Sequence, residues 1–231
     1  MPRLRHAAVA ALLLVAGCAE LLRVEAPVAP PAEFPEAYYQ EAAKQGKPVY
    51  RVDPAASLLV IEVRRGGSLA RLGHDHVVAS HDVIGYVAPG EGRADLYVAL
   101  AKLVVDEPDL RKQAGFDTQP SESDIEGTRS NMHAHVLDTE KYPYAVIEVK
   151  GADEKGKKPT LTVAITLHGQ TRSFQIPSEI EIDDKTITVS GKLAFNQTDF
   201  GITPYALLGG AIAVKDGLEL RFSVRARRMQ G

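Results

Sequence analysis

From residue 48 onward, apolar and polar residues alternate along the chain with a period of two. The clearest case is the segment 160–167, in which the apolar positions are Leu161, Val163, Ile165 and Leu167. Segments 58–63, 174–182, 187–195 and 218–224 repeat the alternation, and segments 77–87, 94–105 and 145–149 show it less regularly. Successive side chains of a strand point to opposite faces, so the pattern predicts about eight strands with one apolar face each.

The predicted strands follow one another with short connections, as expected for sequential antiparallel pairing. About eight such strands can close into an up-and-down barrel, which leaves no exposed sheet edge. The interior of a barrel of this size is either filled by side chains or holds one small ligand. A two-sheet sandwich has the same periodicity and is the alternative architecture. We predict an all-β, antiparallel, up-and-down barrel, either hollow or filled.

Two segments have the features of helices. Segment 35–45 begins with Pro35 and is followed by Gly46, residues that favour the start and the end of a helix. Segment 106–138 is a polar insertion in which Ser121 and Asp124 mark a helix start. Segment 94–105 is apolar on both faces, so we expect the insertion at 106–138 to cover its outer face.

The N-terminus has the layout of a secretory signal. A basic segment, 1–6, precedes an apolar segment, 7–16, that is too short to cross a bilayer, for which about 20 residues are needed. Cys18, directly after Ala16 and Gly17, resembles the cysteine of a bacterial lipobox. This resemblance implies that residues 1–17 are removed, that Cys18 is lipidated and that the protein is anchored in a membrane. An ordinary signal peptide with an incidental cysteine is the alternative.

The predicted organisation is a signal peptide at 1–17, a lipidated N-terminus with a proline-rich tether at 18–47, and a barrel domain at 48–231.

The sequence has 27 basic and 30 acidic residues, a net charge of −3. Loss of Arg3 and Arg5 with the signal would make this −5. An acidic domain argues against a nucleic-acid partner and against binding to lipid headgroups through a polybasic patch. Since Cys18 is the only cysteine, no disulfide can form within the chain.

Several stretches, taken in order, resemble the YceI-like family of bacterial periplasmic proteins. They cover about residues 48–228 and include Tyr50–Ser57, Tyr142-Pro143, His168–Thr171 and Phe195–Ile202. The resemblance implies a lipocalin-like barrel and, since some members carry a polyisoprenoid chain in the cavity, a similar apolar ligand. It also implies a position on the periplasmic side of the cell envelope, where the lipid anchor favours the outer membrane. This chain departs from the family pattern at Gln197, where an arginine is common, and in the histidine-rich segment 71–76.

The inward faces of the predicted strands are the candidate ligand-binding surface. Burying an apolar chain yields about 0.8 kcal/mol per CH₂, so a barrel lined by aliphatic and aromatic side chains can hold a lipid. The predicted lining residues are Leu59, Ile61, Val63, Leu161, Val163, Ile165, Ile187, Val189, Leu220 and Phe222. In the alternative, these side chains fill a dry core and the protein has a structural role in the envelope.

Five of the histidines lie between positions 74 and 135, which suggests a second kind of site. His74 and His76 are two residues apart and would share one side of an extended chain. Such a pair can bind zinc or copper when further ligands converge, and His81, His133 and His135 are candidates for that role. His133 and His135 fall near a predicted helix end, where residues two apart do not share a face.

The sequence contains no motif that indicates catalysis. It lacks a G-x-S-x-G elbow, a P-loop and an H-E-x-x-H pair. We therefore predict a lipid-anchored binding protein with no catalytic residues and an apolar lipid as its ligand. The alternatives are a histidine-based metal-binding module and a structural protein with a filled barrel.

Overall fold

The computed structural model describes residues 29–153 and 158–230. The predicted signal peptide, Cys18 and the first part of the tether lie outside these residues. Three α-helices are α1 (Glu36–Lys44), α2 (Pro108–Ala114) and α3 (Glu122–Asn131). The strands, in chain order, are β1 (Tyr50–Val52), β2 (Leu58–Val63), β3 (Arg65–Gly66), β4 (His76–Ser80), β5 (Val83–Ala88), β6 (Arg93–Ala99), β7 (Val104–Val105), β8 (Tyr144–Asp153), β9 (Thr160–Leu167), β10 (Gln170–Ile182), β11 (Thr186–Asn196), β12 (Ala206–Leu207), β13 (Ile212–Val214) and β14 (Gly217–Arg228).

The main sheet is a closed antiparallel barrel of 8 strands. Its order is β1-β5-β6-β8-β9-β10-β11-β14, and β14 pairs again with β1 to close the ring. Strand β2 continues β1, because both pair with β14. Strand β4 continues β5 in the same way, because β4 pairs with β2 and β5 pairs with β1. The up-and-down barrel predicted from the sequence is therefore confirmed, and the sandwich alternative is excluded.

A short turn explains why the first long strand is interrupted. Pro54–Ala56 forms a 3₁₀ turn between β1 and β2. The Ser57 hydroxyl donates to the carbonyl oxygen of Asp53 over 2.8 Å and accepts from the Arg225 amide over 3.0 Å. The side chain thus replaces ladder hydrogen bonds that the turn removes, and both halves of the strand stay on β14.

The helix predicted at 35–45 is present as α1, and it covers the outer face of β5 and β6. Tyr39 is fully buried there, and its ring stacks on that of Tyr86 at a centroid distance of 5.2 Å. Phe34, just before α1, makes an edge contact of 4.8 Å with Tyr97 of β6. The insertion at 106–138 was expected to cover segment 94–105; it does not lie on this face, although its Met132 packs with Leu103 and Val105 at the end of that segment. The small and aromatic residues of α1 provide the apolar stripe, whereas none of the α3 residues is buried.

The insertion divides into two helices with different positions. In α2, Leu110 packs outside the barrel against Val60, Val77 and Ala79. The predicted start of α3 is confirmed, because Ser121 caps the helix in a reciprocal pair of hydrogen bonds with Asp124. Helix α3 lies over one open end of the barrel, where its residues line a cavity.

Candidate functional site: an apolar cavity with a polar mouth

The barrel interior is filled at one end and hollow at the other. The filled end contains a cluster around Leu161, Val163 and Ile176, and a second cluster includes Tyr50, Ile187 and Ala226. The hollow end is a cavity of about 520 Å³, within the range of about 300–1,000 Å³ typical of small-molecule sites. Its walls are the inward faces of β2, β4, β6, β8, β9, β11 and β14.

The predicted lining residues divide between the two ends. Those that line the cavity are Leu59, Ile61, Val63, Ile165 and Leu220. Those in the packed cluster at the filled end are Leu161, Val163, Val189 and Phe222. Ile187 lies in the cluster with Tyr50 and Ala226. All ten side chains point into the barrel, as predicted from the alternation. The alternation does not show at which level along the barrel axis such side chains border a cavity instead of filling the core.

Several cavity residues were not among those predicted. On strands they include Val98, Ala145, Ile147, Leu167 and Phe195. The same period-two pattern could have identified these positions. From loops, helix ends and the short strand β13 they include Leu100, Met132, Phe200, Ile202, Tyr205 and Ile212. No local pattern marks this second group, because the chain fold brings it to the mouth.

Residues 196–201 form a compact turn that closes one side of the cavity. A 3₁₀ helix spans Gln197–Phe200, and Gly201 follows with a φ of 70°. Phe200 is buried and lines the cavity. The side-chain amide of Gln197 donates a hydrogen bond to the Lys215 carbonyl oxygen over 2.9 Å. Gln197 therefore acts as a neutral hydrogen-bonding residue in the wall, at the position where an arginine is common in the family that the sequence resembles.

One edge of the mouth is an exposed apolar lip. It is built from β3, β12, β13 and the turn at Ala70–Leu72, with a hydrogen bond of 2.7 Å from the Leu69 amide to the Ala211 carbonyl. Leu72 and Leu207 line the cavity, yet they are 60% and 48% exposed. Leu208 is 74% exposed, at a backbone φ of 51°. These leucines leave apolar side chains exposed to solvent at or beside the entrance of an apolar cavity.

A buried polar network lies beside the mouth at the start of β4. His76 faces the cavity, and its Nδ1 atom lies 2.6 Å from Oδ2 of Asp106. The Asp106 side chain is fully buried, and its Oδ1 atom accepts from the Val77 amide at 2.9 Å and from Arg111 at 2.6 Å. Arg111 is in turn held by the carbonyl oxygens of Asp75 and Thr118.

The ionised state of Asp106 follows from these contacts. Burial by itself raises the pKa of a carboxyl group. Here the hydrogen bonds from His76, the Val77 amide and Arg111 outweigh burial and hold the pKa of Asp106 below its usual range. The carboxylate can only accept, so the Nδ1 atom of His76 must carry the proton that it shares with Asp106.

The predicted metal pair is only partly assembled. The rings of His74 and His76 lie 6.1 Å apart, and both line the mouth. The Nδ1 atom of His76 is engaged by Asp106. Over residues 29–153 and 158–230, no three histidine, cysteine, aspartate or glutamate side chains are grouped so as to hold a metal ion. The zinc or copper site at His74 and His76 remains a prediction.

The other candidate histidines point to separate places. His81 pairs with Glu107 at the surface, over 2.8 Å. His133 and His135 lie in a single π-helical turn, Met132–Val136, which continues α3, so the predicted helix-end position is confirmed. Burial lowers the pKa of His133, whose Nδ1 atom is buried and has no hydrogen-bond partner in the described part of the chain. The histidine cluster of the sequence is therefore spread over three locations.

The charged side chains at the mouth have hydrogen-bond or ion-pair partners within the protein. Arg65 lines the cavity, and its guanidinium contacts Asp117 at 2.9 Å and Asp75 at 3.7 Å. On α3, hydrogen bonds from the Ser121 hydroxyl and amide lower the pKa of Asp124, which also lines the cavity. The mouth thus combines a compensated cation, a carboxylate and an imidazole, with apolar walls beneath them.

Comparison with known proteins places the chain among similar barrels. A family model described as a YceI-like domain matches residues 50–226. No curated protein sequence matches the chain. A polyisoprenoid binding domain from Saccharophagus degradans, implicated in plant cell wall breakdown, superposes with a TM-score of 0.55 at 13% identity, over 78% of this chain and 98% of that chain. BcnA of Burkholderia cenocepacia superposes with a TM-score of 0.51 at 15% identity, over 75% of this chain and 98% of that chain. At these identities the structural likeness shows the fold.

Proposed function

The chain belongs to the YceI-like domain family, and we propose that its barrel binds a polyisoprenoid or another long apolar lipid. The observation that carries this proposal is the cavity of about 520 Å³, whose strand-borne walls are mostly aliphatic and aromatic. A structural neighbour described as a polyisoprenoid binding domain supports the same ligand class.

The composition of the cavity explains why the ligand would be apolar. Each CH₂ group that moves from water into such walls gains about 0.8 kcal/mol. A charged or strongly hydrated ligand would lose its hydration without receiving matched partners, because Val98, Ile147 and Ile165 offer none. Chain length then gives affinity, and the few polar groups at the mouth set the orientation.

We also propose that the protein is lipid-anchored at Cys18, on the periplasmic side of the bacterial cell envelope. Among the described residues, no helix is long and apolar enough to cross a membrane. The Tyr144 hydroxyl donates to the carbonyl oxygen of Ala29. Tyr144 begins β8 at the hollow end of the barrel, next to the lining residue Ala145.

This position of Ala29 limits the distance between the anchor and the cavity. About 11 residues separate Cys18 from Ala29, and a fully extended chain of that length spans at most about 40 Å. An anchor at Cys18 would therefore keep the hollow end close to the bilayer. The exposed leucines Leu72, Leu207 and Leu208 offer an apolar path between the bilayer and the cavity.

The test is to identify what the protein carries. The full-length protein would be expressed with its own leader, purified from membranes in a mild detergent and measured by native mass spectrometry. A chloroform–methanol extract of the same sample would identify any released lipid. We expect one long apolar molecule per barrel. Protein that is free of such a molecule and that also binds none of a series of added prenyl lipids would overturn the proposal.

A further inference from the structure

The hydrogen-bonding state of His76 determines what kind of head group suits the mouth of the cavity. The Nδ1 atom donates its proton to the Asp106 carboxylate, at 2.6 Å. In the neutral imidazole the other nitrogen, Nε2, then carries a lone pair and acts as an acceptor. Asp106 thus selects one tautomer of His76 and presents an acceptor toward the cavity.

The network around Asp106 is built to preserve this tautomer. Asp106 is fully buried, and Arg111 and the Val77 amide occupy its second oxygen. The Arg111 guanidinium pairs with the carboxylate at 2.6 Å, so the buried aspartate has a permanent cation in contact with it besides the imidazole. Strand β4 fixes the position of the ring, since His76 pairs with Val63 in the barrel wall.

The Nε2 atom has little protein bonding of its own. Its hydrogen-bond contact among the described residues is with the Thr128 hydroxyl of α3, over 3.5 Å. At that distance a hydrogen bond is weak. A ligand group at normal hydrogen-bonding distance would therefore meet an acceptor that is positioned, nearly buried and available.

The neighbouring groups at the mouth favour a neutral donor over an anion. The Asp124 carboxylate lines the same opening, and it would repel a phosphate or carboxylate. The cation of Arg65 is already shared between Asp75 and Asp117. A hydroxyl group has the matching chemistry, because it donates to an imidazole nitrogen and can also accept from the Thr128 hydroxyl.

We propose that the Nε2 atom of His76 accepts a hydrogen bond from a hydroxyl group at the head of the bound chain, so that the preferred ligand is a long-chain alcohol such as a prenol. This inference rests on the proposed function and adds the head-group class. His76 is then a specificity-determining residue, and Asp106 and Arg111 are positioning residues.

The experiment compares two probes that differ only at the terminal oxygen, which carries a proton in one and a methyl group in the other. Equimolar farnesol and farnesyl methyl ether compete for the full-length protein in detergent, and native mass spectrometry gives the ratio of bound alcohol to bound ether. The His76→Leu variant, measured in the same detergent, corrects for their different partitioning. We expect the ratio for the unmodified protein to exceed that of the variant by about 3- to 10-fold, the effect of one neutral hydrogen bond.

The neighbouring histidine supplies the matched control. A His74→Leu variant removes an imidazole from the same mouth and should keep the full preference for the alcohol. An Asp106→Asn variant, if folded by circular dichroism, should lose the preference, because an amide at this position can donate to Nδ1 and move the ring proton to Nε2.

The outcomes separate the two proposals. Equal ratios in the unmodified protein and in His76→Leu would overturn the head-group assignment while leaving a lipid-binding barrel. Loss of the preference in His74→Leu with retention in His76→Leu would also overturn it. If neither probe bound any form of the protein, both this inference and the lipid-binding function would be refuted.

Discussion

The Tyr39 hydroxyl donates a hydrogen bond of 2.5 Å to Oδ2 of Asp95, which joins α1 to the outer face of β6. Tyr39 is fully buried and Asp95 is 4% exposed, and Arg93 donates to the same oxygen over 2.7 Å. The end of the proline-rich segment is thereby attached to the barrel wall. A tether that starts at the membrane would therefore end before α1, because α1 is part of the folded domain.

Loss of this hydrogen bond should weaken the fold. We expect Tyr39→Phe to lower the free energy of unfolding by about 1–2 kcal/mol, because Asp95 stays buried with Arg93 as its remaining side-chain partner. Tyr38→Phe is the control, since Tyr38 is 36% exposed and keeps its ring beside Arg93. Its effect should stay below about 0.5 kcal/mol. Urea unfolding at neutral pH measures both, and equal effects would contradict the prediction.

A second buried tyrosine predicts how stability depends on alkaline pH. Burial and the hydrogen bond to Glu36 raise the pKa of Tyr86 to about 12, from 10.0 for an ordinary tyrosine. A tyrosine whose folded-state pKa is raised retains its proton in the folded protein between these two values, while the unfolded chain loses it. Its contribution to stability is therefore complete below pH 10 and declines as the pH rises toward 12.

The matched variant for this prediction is Tyr86→Phe. The stability difference between the unmodified protein and the variant should be largest below pH 10 and should shrink steadily above it. Taking the difference cancels the titration of lysines, which occurs in the same range in both proteins. Urea unfolding in a series of buffers would measure it, and a difference that is independent of pH would show that Tyr86 ionises normally.

The buried ion pair of Arg111 with Asp106 should be sensitive to removal of one partner. We expect Arg111→Met to cost about 3–5 kcal/mol, because it leaves a carboxylate without its cation in a buried position. Arg129→Met, which breaks a solvent-exposed pair with Glu126 on α3, should leave the free energy of unfolding nearly unchanged. Denaturant unfolding of both variants checks this, and Arg111→Met combined with Asp106→Asn should recover part of the loss.

Filling the cavity should abolish ligand binding without unfolding the barrel. Ile165 lines the cavity, so a tryptophan at this position would occupy ligand space. We expect Ile165→Trp to reduce the binding of farnesol at least about tenfold, since the buried chain loses several contacts worth about 0.8 kcal/mol per CH₂. Thr162→Trp is the control on the same strand, where the side chain points outward and bonds Gln175. Similar losses in both variants would indicate that the cavity is not the binding site.

The anchoring proposal can be tested by a single change at the N-terminus. We expect Cys18→Ser to move the protein from the membrane fraction to the soluble periplasmic fraction and to abolish labelling by radioactive palmitate. Cell fractionation with immunoblotting measures the first effect. A Cys18→Ser protein that is exported yet still sediments with membranes would remove the basis for the lipid anchor.

The order and pairing of the barrel strands were predictable because each strand carries its own signal. In β9 and β14 every second residue is apolar, and a shift of one residue would expose that whole face to water. Alternation therefore excludes any shift by an odd number of residues between 218–224 and 187–195. The start of α3 was predictable for a similar reason, since the Ser121–Asp124 cap depends on four consecutive residues.

The positions of the helices and the height of the cavity were not predictable in the same way. The stripe of Tyr39, Ala42 and Ala43 on α1 fits a wall, but nothing in its own sequence shows which wall. Leu161 and Ile165 have the same local pattern, yet one lies in the packed end and the other faces the cavity. The difference depends on what the opposite strands contribute at each level.

The sequence by itself determined the fold class, because the period of two specifies strand faces and short connections allow sequential pairing. It also gives the acidic net charge and predicts an export signal. The tertiary structure alone decided that His76, Asp106 and Arg111 form one network, since these residues come from a strand, a loop and a helix. Hydrogen bonds and cavities depend on side-chain positions within a few tenths of an ångström, and those positions follow from closure of the barrel rather than from any local pattern.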